Sequence, residues 1–259
     1  MNTEKRTKIN QLIQQWPRGT ASTTSALFSM GFSNELLHSY KNSHWIQPLE
    51  RGAYALAGDR VEWSGGVYAL QHQLGLTVHP GGKTALELRG FSHYVAQSTT
   101  RVFLYGLRGE KLPAWFQQHN WGVEIHYSAT TLFPTSCQEG FSEYREKEFS
   151  IRISSPERAA LEMLYHLPGK GSFEEAYLIM ESLITLRPAV LQSLLECCNS
   201  VKVKRLFMYM AQRHQHPWVG KLDLSKVDFG KGKRVIVKAG ILDKKYNITV
   251  PKQIAEEGL

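Results

Sequence analysis

The stretch that decides the fold spans residues 20–57 and reads TASTTSALFSMGFSNELLHSYKNSHWIQPLERGAYALA. Its first half predicts two short helices separated by a turn at Gly31. Its second half predicts a tight β-hairpin closed at Gly52, where the backbone needs a positive φ. Two helices followed by a hairpin are typical of a winged helix–turn–helix, which places its last helix in the DNA major groove. A winged helix that serves only protein contacts is the main alternative.

Residues around this stretch predict where the helices begin and end. A preceding helix is indicated by apolar residues at helical spacing, namely Ile9, Leu12, Ile13 and Trp16. Thr23 or Thr24 is placed to cap the second helix, and Ser33 to cap the third, which we expect to end near Asn42. The residues that the second helix is expected to bury are Leu27, Phe28 and Met30.

The third helix has two contrasting faces. Leu36, Leu37 and Tyr40 fall on one side at ~100° per residue. The opposite side carries side chains with the length and chemistry to reach base edges or phosphates, namely Asn34, His38, Lys41 and Asn42. Any surface helix also turns polar residues outward, so the hairpin that follows is needed to favour DNA binding. The further candidate DNA contacts in this region are Thr23, Thr24 and, at the hairpin tip, Arg51.

Positive charge is concentrated near the end of the chain. Residues 200–252 hold thirteen lysines and arginines against three aspartates, a net charge of +10, whereas the whole chain carries +8. Such a concentration usually indicates a polyanionic partner, most often nucleic acid and less often a membrane surface. Cations at sheet edges also block aggregation, and that alternative stays open. The candidate DNA-binding residues here are Lys202, Lys204, Arg205, Lys233, Arg234 and Lys238.

Beyond the winged head the pattern becomes mixed. Strands are predicted at 101–106, 122–128 and 149–154, and helices at 156–167, 173–186, 188–198 and 201–214. A terminal hairpin is expected to pair Arg234–Lys238 with Tyr246–Val250. Thr84 is placed to cap a further helix, and Ser154 with Glu157 to form a capping box. The predicted fold class is α+β: a winged helix–turn–helix domain at residues 1–58, then a larger mixed domain at residues 59–259 with antiparallel strands and a helical cluster.

Motifs for catalysis or cofactor binding are absent from the sequence. Neither GxSxG nor HExxH occurs, and the GGKT string at residues 81–84 has Thr77 where a phosphate-binding loop needs glycine. Cys137 stands apart from the adjacent Cys197 and Cys198, a spacing that fits no common zinc site. No apolar run approaches the ~18–20 residues that cross a bilayer. We therefore expect a cytoplasmic protein without catalytic residues, metal, cofactor or membrane association.

Three segments carry a family resemblance: RGAYALAG at 51–58, VHPGGKTALELRGFSHYV at 78–95 and GKGKRVIVKAGILDKKYNITVP at 230–251. With them the chain resembles the longer subfamily of the AbiEi antitoxins of type IV (abortive infection) toxin–antitoxin systems. The resemblance implies a winged head that represses its own operon by binding inverted repeats in the promoter, which would bring two heads together on double-stranded DNA. It also implies a larger domain that neutralises a nucleotidyltransferase toxin without forming a stable complex.

Two alternatives of other classes remain at this point. One is a stand-alone winged-helix repressor with no toxin partner. The other is a nucleic-acid-processing enzyme, for which the only D/E-x-K match, Asp243-Lys244-Lys245, falls in a predicted hairpin turn. A single carboxylate among lysines is a poor start for a divalent metal site, so the enzyme is disfavoured.

Overall fold

The computed structural model describes residues 3–91 and 101–256, with side chains described from Lys8 onward. The chain forms two compact units. The first comprises Met1–His79, Gly109–Ile125 and Glu143–Arg152, and the second comprises Pro80–Arg108, His126–Ser142 and Ile153–Leu259. The first unit therefore contains segments that follow residue 58, and the winged head is one part of it.

The winged head occupies the beginning of the first unit. Its elements are, in chain order, α1 (Thr3–Gln15), β1 (Ser22–Thr23), α2 (Thr24–Ser29), α3 (Asn34–Asn42), β2 (Ile46–Glu50) and β3 (Ala53–Leu56). The strands form an antiparallel sheet in the order β1–β3–β2, with a register shift between Pro48 and Glu50. The predicted winged helix–turn–helix is confirmed.

A small apolar core holds the head together. Its buried residues are Ile9, Leu12, Trp16, Leu27, Phe32, Leu37, Tyr40, Ile46 and Leu56. Burying a large apolar side chain stabilises a fold by about 1.5–3 kcal/mol. The prediction that Phe28 is buried is wrong, because this ring is 43% exposed. Helix α2 has only six residues, and the one it buries fully is Leu27.

The middle of the chain alternates helices and strands. The elements are α4 (Trp63–His72), β4 (His79–Pro80), α5 (Gly82–Leu88), β5 (Arg101–Leu107), α6 (Ala114–Gln118), β6 (Glu124–Thr130), β7 (Phe141–Arg145) and β8 (Ser150–Ser154). Strands β4, β5 and β6 form a sheet in that order, and β7 pairs with β8. The sequence prediction found β5, β6 and β8 but missed β7, whose residues FSEYR show no clear alternation. Residues 92–95 of the segment that carries the family resemblance lie outside the described residues.

The two adjacent glycines of α4 permit close packing within the first unit. A Cβ on Gly65 would lie 1.9 Å from the carbonyl oxygen of Gly19, and one on Gly66 would lie 2.5 Å from the Trp121 ring. Real Cβ atoms do not tolerate such distances, so only glycine fits. The pair therefore marks a tight helix contact and not a break in the helix.

The last part of the chain builds the helical cluster of the second unit. Its elements are α7 (Pro156–Tyr165), α8 (Phe173–Ser182), α9 (Pro188–Cys197), α10 (Val201–Arg213), β9 (Arg234–Val235), β10 (Ile241–Asp243), β11 (Ile248–Val250) and α11 (Lys252–Glu256). Helix α7 packs against α5, α8, α9 and α10. The predicted α+β class with a helical cluster is confirmed. None of the described helices is long and apolar enough to cross a membrane.

Several predicted details of the second unit are wrong. The terminal hairpin joins β10 to β11, while β9 runs parallel to β11 and is not its antiparallel partner. Thr84 does not cap α5, which begins after Gly81; instead its hydroxyl oxygen accepts a hydrogen bond from the Phe103 N–H at 2.8 Å. Ser155, not Ser154, precedes α7, so the predicted capping box is absent.

Candidate nucleic-acid interface

Helix α3 is fixed in the head by a cap and by buried anchors. The Ser33 hydroxyl oxygen accepts a hydrogen bond from the Leu36 N–H at 3.3 Å, which is the predicted N-cap. Leu37 and Tyr40 are buried, and the Tyr40 ring lies 6.3 Å from the Phe32 ring, centroid to centroid. The apolar face of α3 is therefore held against the core, and its other face is turned to solvent.

The polar face of α3 is exposed along its whole length. The exposed residues of this face are Asn34, His38, Lys41 and Asn42, as the helical spacing predicts. Asn42 Nδ2 lies 3.3 Å from His38 Nδ1, a hydrogen bond across one helical turn. When the Asn42 amide donates, the neutral imidazole carries its proton on Nε2, which leaves a donor for an acceptor on a base edge.

The two threonines at the start of α2 have different environments. Thr23 is 3% exposed; its hydroxyl caps α2 by accepting from the Ala26 N–H, and its own N–H donates to Gln73 Oε1 at 2.8 Å. Burial removes Thr23 from the set of residues that can touch DNA in this conformation. Thr24 is half-buried, and its N–H donates to the Gly52 carbonyl oxygen at 3.0 Å, which ties α2 to the wing.

The wing presents Arg51 at its tip. Arg51 is exposed, and the next residue, Gly52, has φ +102°, a conformation that favours glycine.

Two exposed residues between α3 and β2 were not predicted from the sequence. His44 adopts φ 55°, and Trp45 is 41% exposed although it adjoins a strand. In the sequence, only their position directly after α3 could have indicated that they lie near the proposed DNA-binding face.

The six basic candidates near the end of the chain divide into two groups. Lys233, Arg234 and Lys238 are exposed, around β9. Lys204 and Arg205 are each only 4% exposed, and Lys202 is half-buried with Nζ donating to the carbonyl oxygens of Tyr165 and Leu167 at 2.7 Å each. The prediction that Lys202, Lys204 and Arg205 contact DNA is therefore wrong for this conformation, because α10 is packed on nearly all sides.

Arg205 has a structural role that the sequence did not reveal. Its guanidinium donates to the carbonyl oxygens of Phe229 at 2.8 Å, Gly230 at 3.0 Å, Gly232 at 2.6 Å and Asn247 at 3.2 Å. Burial, together with the nearby charge of Arg234, lowers the pKa of Arg205. These bonds hold the loop before β9, so Arg205 positions the exposed cations there and is not itself one of them.

Comparison with known families covers almost the whole chain. Residues 5–97 match the model described as transcriptional regulator, AbiEi antitoxin N-terminal domain. Residues 99–251 match the model described as transcriptional regulator, AbiEi antitoxin, type IV toxin–antitoxin system. The chain belongs to the AbiEi antitoxin family. The resemblance seen in its three sequence segments is thereby confirmed.

A solved structure shares the fold of this AbiEi chain. The crystal structure of the RV2827C protein from Mycobacterium tuberculosis is similar with a TM-score of 0.57 at 13% sequence identity, over 96% of this chain and 91% of that chain. At this identity the similarity shows the fold alone. No curated protein sequence matches the chain.

The glycines of the GGKT string serve packing in this AbiEi chain. A Cβ on Gly81 would lie 2.2 Å from Glu162 Oε2, and the Gly82 N–H donates to the same oxygen at 3.0 Å. That oxygen also accepts from the Ser154 hydroxyl at 2.7 Å, and Arg158 Nε donates to Oε1 at 3.1 Å. The buried carboxylate of Glu162 thus accepts the hydrogen bond of the Gly82 N–H, a backbone donor that a bound phosphate would need.

Cys137 does not stand alone, contrary to its position in the sequence. Its sulfur, the sulfur of Cys197 and a carboxylate oxygen of Glu139 lie within 4.8 Å of one another. Burial, reinforced by the neighbouring Cys197, raises the pKa of Cys137 to about 12. A metal binds the thiolate, whereas a protonated buried thiol packs as a small apolar group. The cluster offers three ligand atoms, whereas a structural zinc site takes four, so we assign no metal to it.

Proposed function

We propose that the chain is an autorepressor and antitoxin of a type IV toxin–antitoxin system. Its winged head binds inverted repeats in the promoter of its own operon, and the rest of the chain counters a nucleotidyltransferase toxin without forming a stable complex with it. The observation that carries the DNA half is the exposed polar face of α3, which lies beside a wing with Arg51 at its tip. Family membership supports the antitoxin half.

The chemistry of each exposed side chain suggests its role on DNA. The amides of Asn34 and Asn42 pair with adenine edges, and His38 donates to a purine acceptor. Lys41, Arg51 and the half-buried Thr24 contact phosphates, which position the head without reading sequence. Two heads on an inverted repeat are related by the two-fold symmetry of the site. Regulation of its own operon takes place in the cytoplasm, and no catalytic step is part of it.

DNA binding is tested with the DNA upstream of the gene. A labelled duplex from the promoter should be shifted by the full chain in the presence of excess competitor DNA, and a shuffled duplex of the same composition should not. DNase I protection should cover two half-sites in opposite orientation. Equal binding to the promoter and shuffled duplexes would remove the proposed role of the head.

The antitoxin activity is tested separately, in cells. Co-expression with a neighbouring nucleotidyltransferase gene should restore growth that the toxin alone abolishes. The variant Lys41→Ala/Arg51→Ala, which should no longer repress, should restore growth as well. Size-exclusion chromatography of the two purified proteins should give two separate peaks. Repression without rescue of growth would favour the stand-alone repressor, and co-elution would exclude a mechanism without a stable complex.

A further inference from the structure

The second unit contains a cavity that promoter binding does not use. Its volume is about 570 Å³, and it is lined by parts of α5, β5, β6, α7 and α8. Small-molecule sites in proteins span roughly 300–1,000 Å³ and combine apolar walls with a few polar groups. The charged residues of this lining are Lys83, Glu87, Arg101, Lys170 and Glu175.

One wall of the cavity has more carboxylates than cations. Lys83 Nζ lies 2.5 Å from Glu175 Oε1 and 3.6 Å from Glu87 Oε1, so one ammonium is shared by two carboxylates. Burial raises the pKa of Glu87, although Lys83 acts in the opposite direction. Each carboxylate has room for more than one hydrogen bond. This wall therefore suits a ligand that brings its own N–H donors.

A second wall is aromatic. The rings of Phe103 and His126 are stacked, with centroids 5.2 Å apart and an interplanar angle of 19°. The His166 ring lies 5.4 Å from Tyr105 and 6.0 Å from Phe103. Burial, and then the charges of Lys170 and Lys202, lowers the pKa of His166 to about 4, so that this ring is neutral at pH 7. A planar ring packs well on such a surface.

The loop that precedes α8 adds positive charge to the lining. This loop reads GKGS at residues 169–172, and its Lys170 is exposed and pairs with no carboxylate among the described residues. Lys202 adds a second positive charge next to this loop, because hydrogen bonds to the Tyr165 and Leu167 carbonyl oxygens hold its Nζ there. After burial, the charges of Lys170 and Lys202 also contribute to the lowered pKa of His166. An anionic group is therefore favoured next to Lys170.

We propose that this cavity binds a nucleotide. Its base packs on Phe103 and His126 with amino or ring N–H groups toward Glu87 and Glu175, and its phosphate lies at Lys170. A bare inorganic anion leaves the aromatic wall unused, and an apolar ligand leaves the charged groups unsatisfied. A nucleotide combines the planar ring, the donors and the anion that the three parts of the lining require. The proposal does not depend on promoter binding by the head.

Isothermal titration calorimetry of the full chain tests the ligand class. The probes are AMP, GMP, CMP and UMP, the four matching nucleosides and inorganic phosphate, each titrated alone. At least one monophosphate should bind, and its nucleoside and inorganic phosphate should bind at least about tenfold more weakly, the size expected for losing one charged contact. Absence of binding by all four monophosphates, or equal affinity for inorganic phosphate, would overturn the proposal.

Matched variants locate the binding site. Lys170→Ala changes an exposed side chain and should weaken the bound monophosphate about tenfold or more. Glu175→Gln keeps the shape of the side chain and should alter the ranking of the four bases. Lys221→Ala, exposed in the same unit and outside the lining, should bind as the wild type does. Wild-type affinity in Lys170→Ala, with affinity lost in Lys233→Ala/Arg234→Ala, would place the nucleotide on the terminal cations and refute the cavity site.

Discussion

Asn42 and His38 lie one turn apart on α3 and share a hydrogen bond, with 3.3 Å between Asn42 Nδ2 and His38 Nδ1. Both side chains are exposed, so the bond restrains two groups that are proposed to touch DNA before any DNA is present. Restraint of this kind lowers the side-chain entropy that is lost on binding. It also couples the two residues energetically.

The coupling predicts non-additive effects on operator binding. His38→Ala and Asn42→Ala should each weaken binding by about 1–3 kcal/mol, because each removes a base contact. The double variant should lose less than the sum, since removing one partner already releases the other. Fluorescence anisotropy with an operator duplex measures all four proteins of the cycle. Gln14→Ala, exposed on α1, is the control and should bind normally. Strictly additive losses would argue against the coupling.

Arg205 should matter for stability and not through a direct DNA contact. Arg205→Ala removes hydrogen bonds to four carbonyl oxygens and should lower the free energy of unfolding by about 2–4 kcal/mol. Lys233→Ala changes an exposed side chain and should stay within about 0.5 kcal/mol of the wild type. Urea unfolding of both variants makes the comparison. Similar small effects in the two variants would refute the structural role of Arg205.

The exposed terminal cations predict a change in salt dependence if they contact DNA. Charge reversal at Lys233, Arg234 and Lys238 should reduce the slope of log K against log salt by about 0.9 for each lost phosphate contact. Anisotropy titrations over a range of salt concentrations measure the slope. Lys221→Glu, exposed elsewhere in the same unit, shows how much one charge reversal outside this set changes the slope. A slope equal to the wild-type value in the triple variant would leave these cations with the alternative role of protecting the sheet edge.

The buried carboxylate of Glu157 predicts acid sensitivity. It accepts hydrogen bonds from Arg187 Nε at 3.0 Å, Arg187 Nη2 at 2.9 Å and the Ser155 hydroxyl at 2.6 Å. Burial alone would raise the pKa of Glu157, but these bonds outweigh it and lower the pKa to about 2 from the usual 4.5. A pKa depressed on folding stabilises the protein above about pH 4.5, and this stability is lost as the pH falls toward 2.

Glu157→Gln tests this contribution. The variant should be less stable at pH 7 by about 2 kcal/mol, a figure reduced for solvent screening because the Arg187 side chain is 58% exposed. Its stability should fall less steeply than that of the wild type between pH 4.5 and pH 3. Urea unfolding at pH 7, 4.5 and 3 provides the values. Parallel losses of stability in the two proteins would mean that another carboxylate dominates the acid transition.

The sequence predicted the winged head well because its signals are local. Ser33 caps α3 and Gly52 closes the wing within a few residues of where each effect is seen. The burial of Lys204 and Arg205 was not predictable in this way. Lysines and arginines are usually solvent-exposed, so the sequence favours exposure for both. The carbonyl oxygens that accept hydrogen bonds from Arg205 belong to a loop and a turn that are distant in the chain.

Long-range pairing explains the remaining differences. The parallel pairing of β9 with β11 gives no periodicity that separates it from a hairpin. Cys137 approaches Cys197 only in the folded second unit. The cavity between α5, β5 and α8 likewise forms only when distant segments pack together. The polar face of α3, in contrast, was predicted correctly, because helical spacing alone places Asn34, His38, Lys41 and Asn42 on one exposed side.

DNA reading by α3 is tested most directly by the ratio of operator affinity to affinity for a scrambled duplex at physiological salt. The wild-type chain should show a ratio of about 10³ or more. His38→Ala/Asn42→Ala should reduce that ratio at least about tenfold, because lost base contacts weaken only the specific complex. An unchanged ratio in this double variant would contradict the assignment of α3 as the helix that reads the promoter.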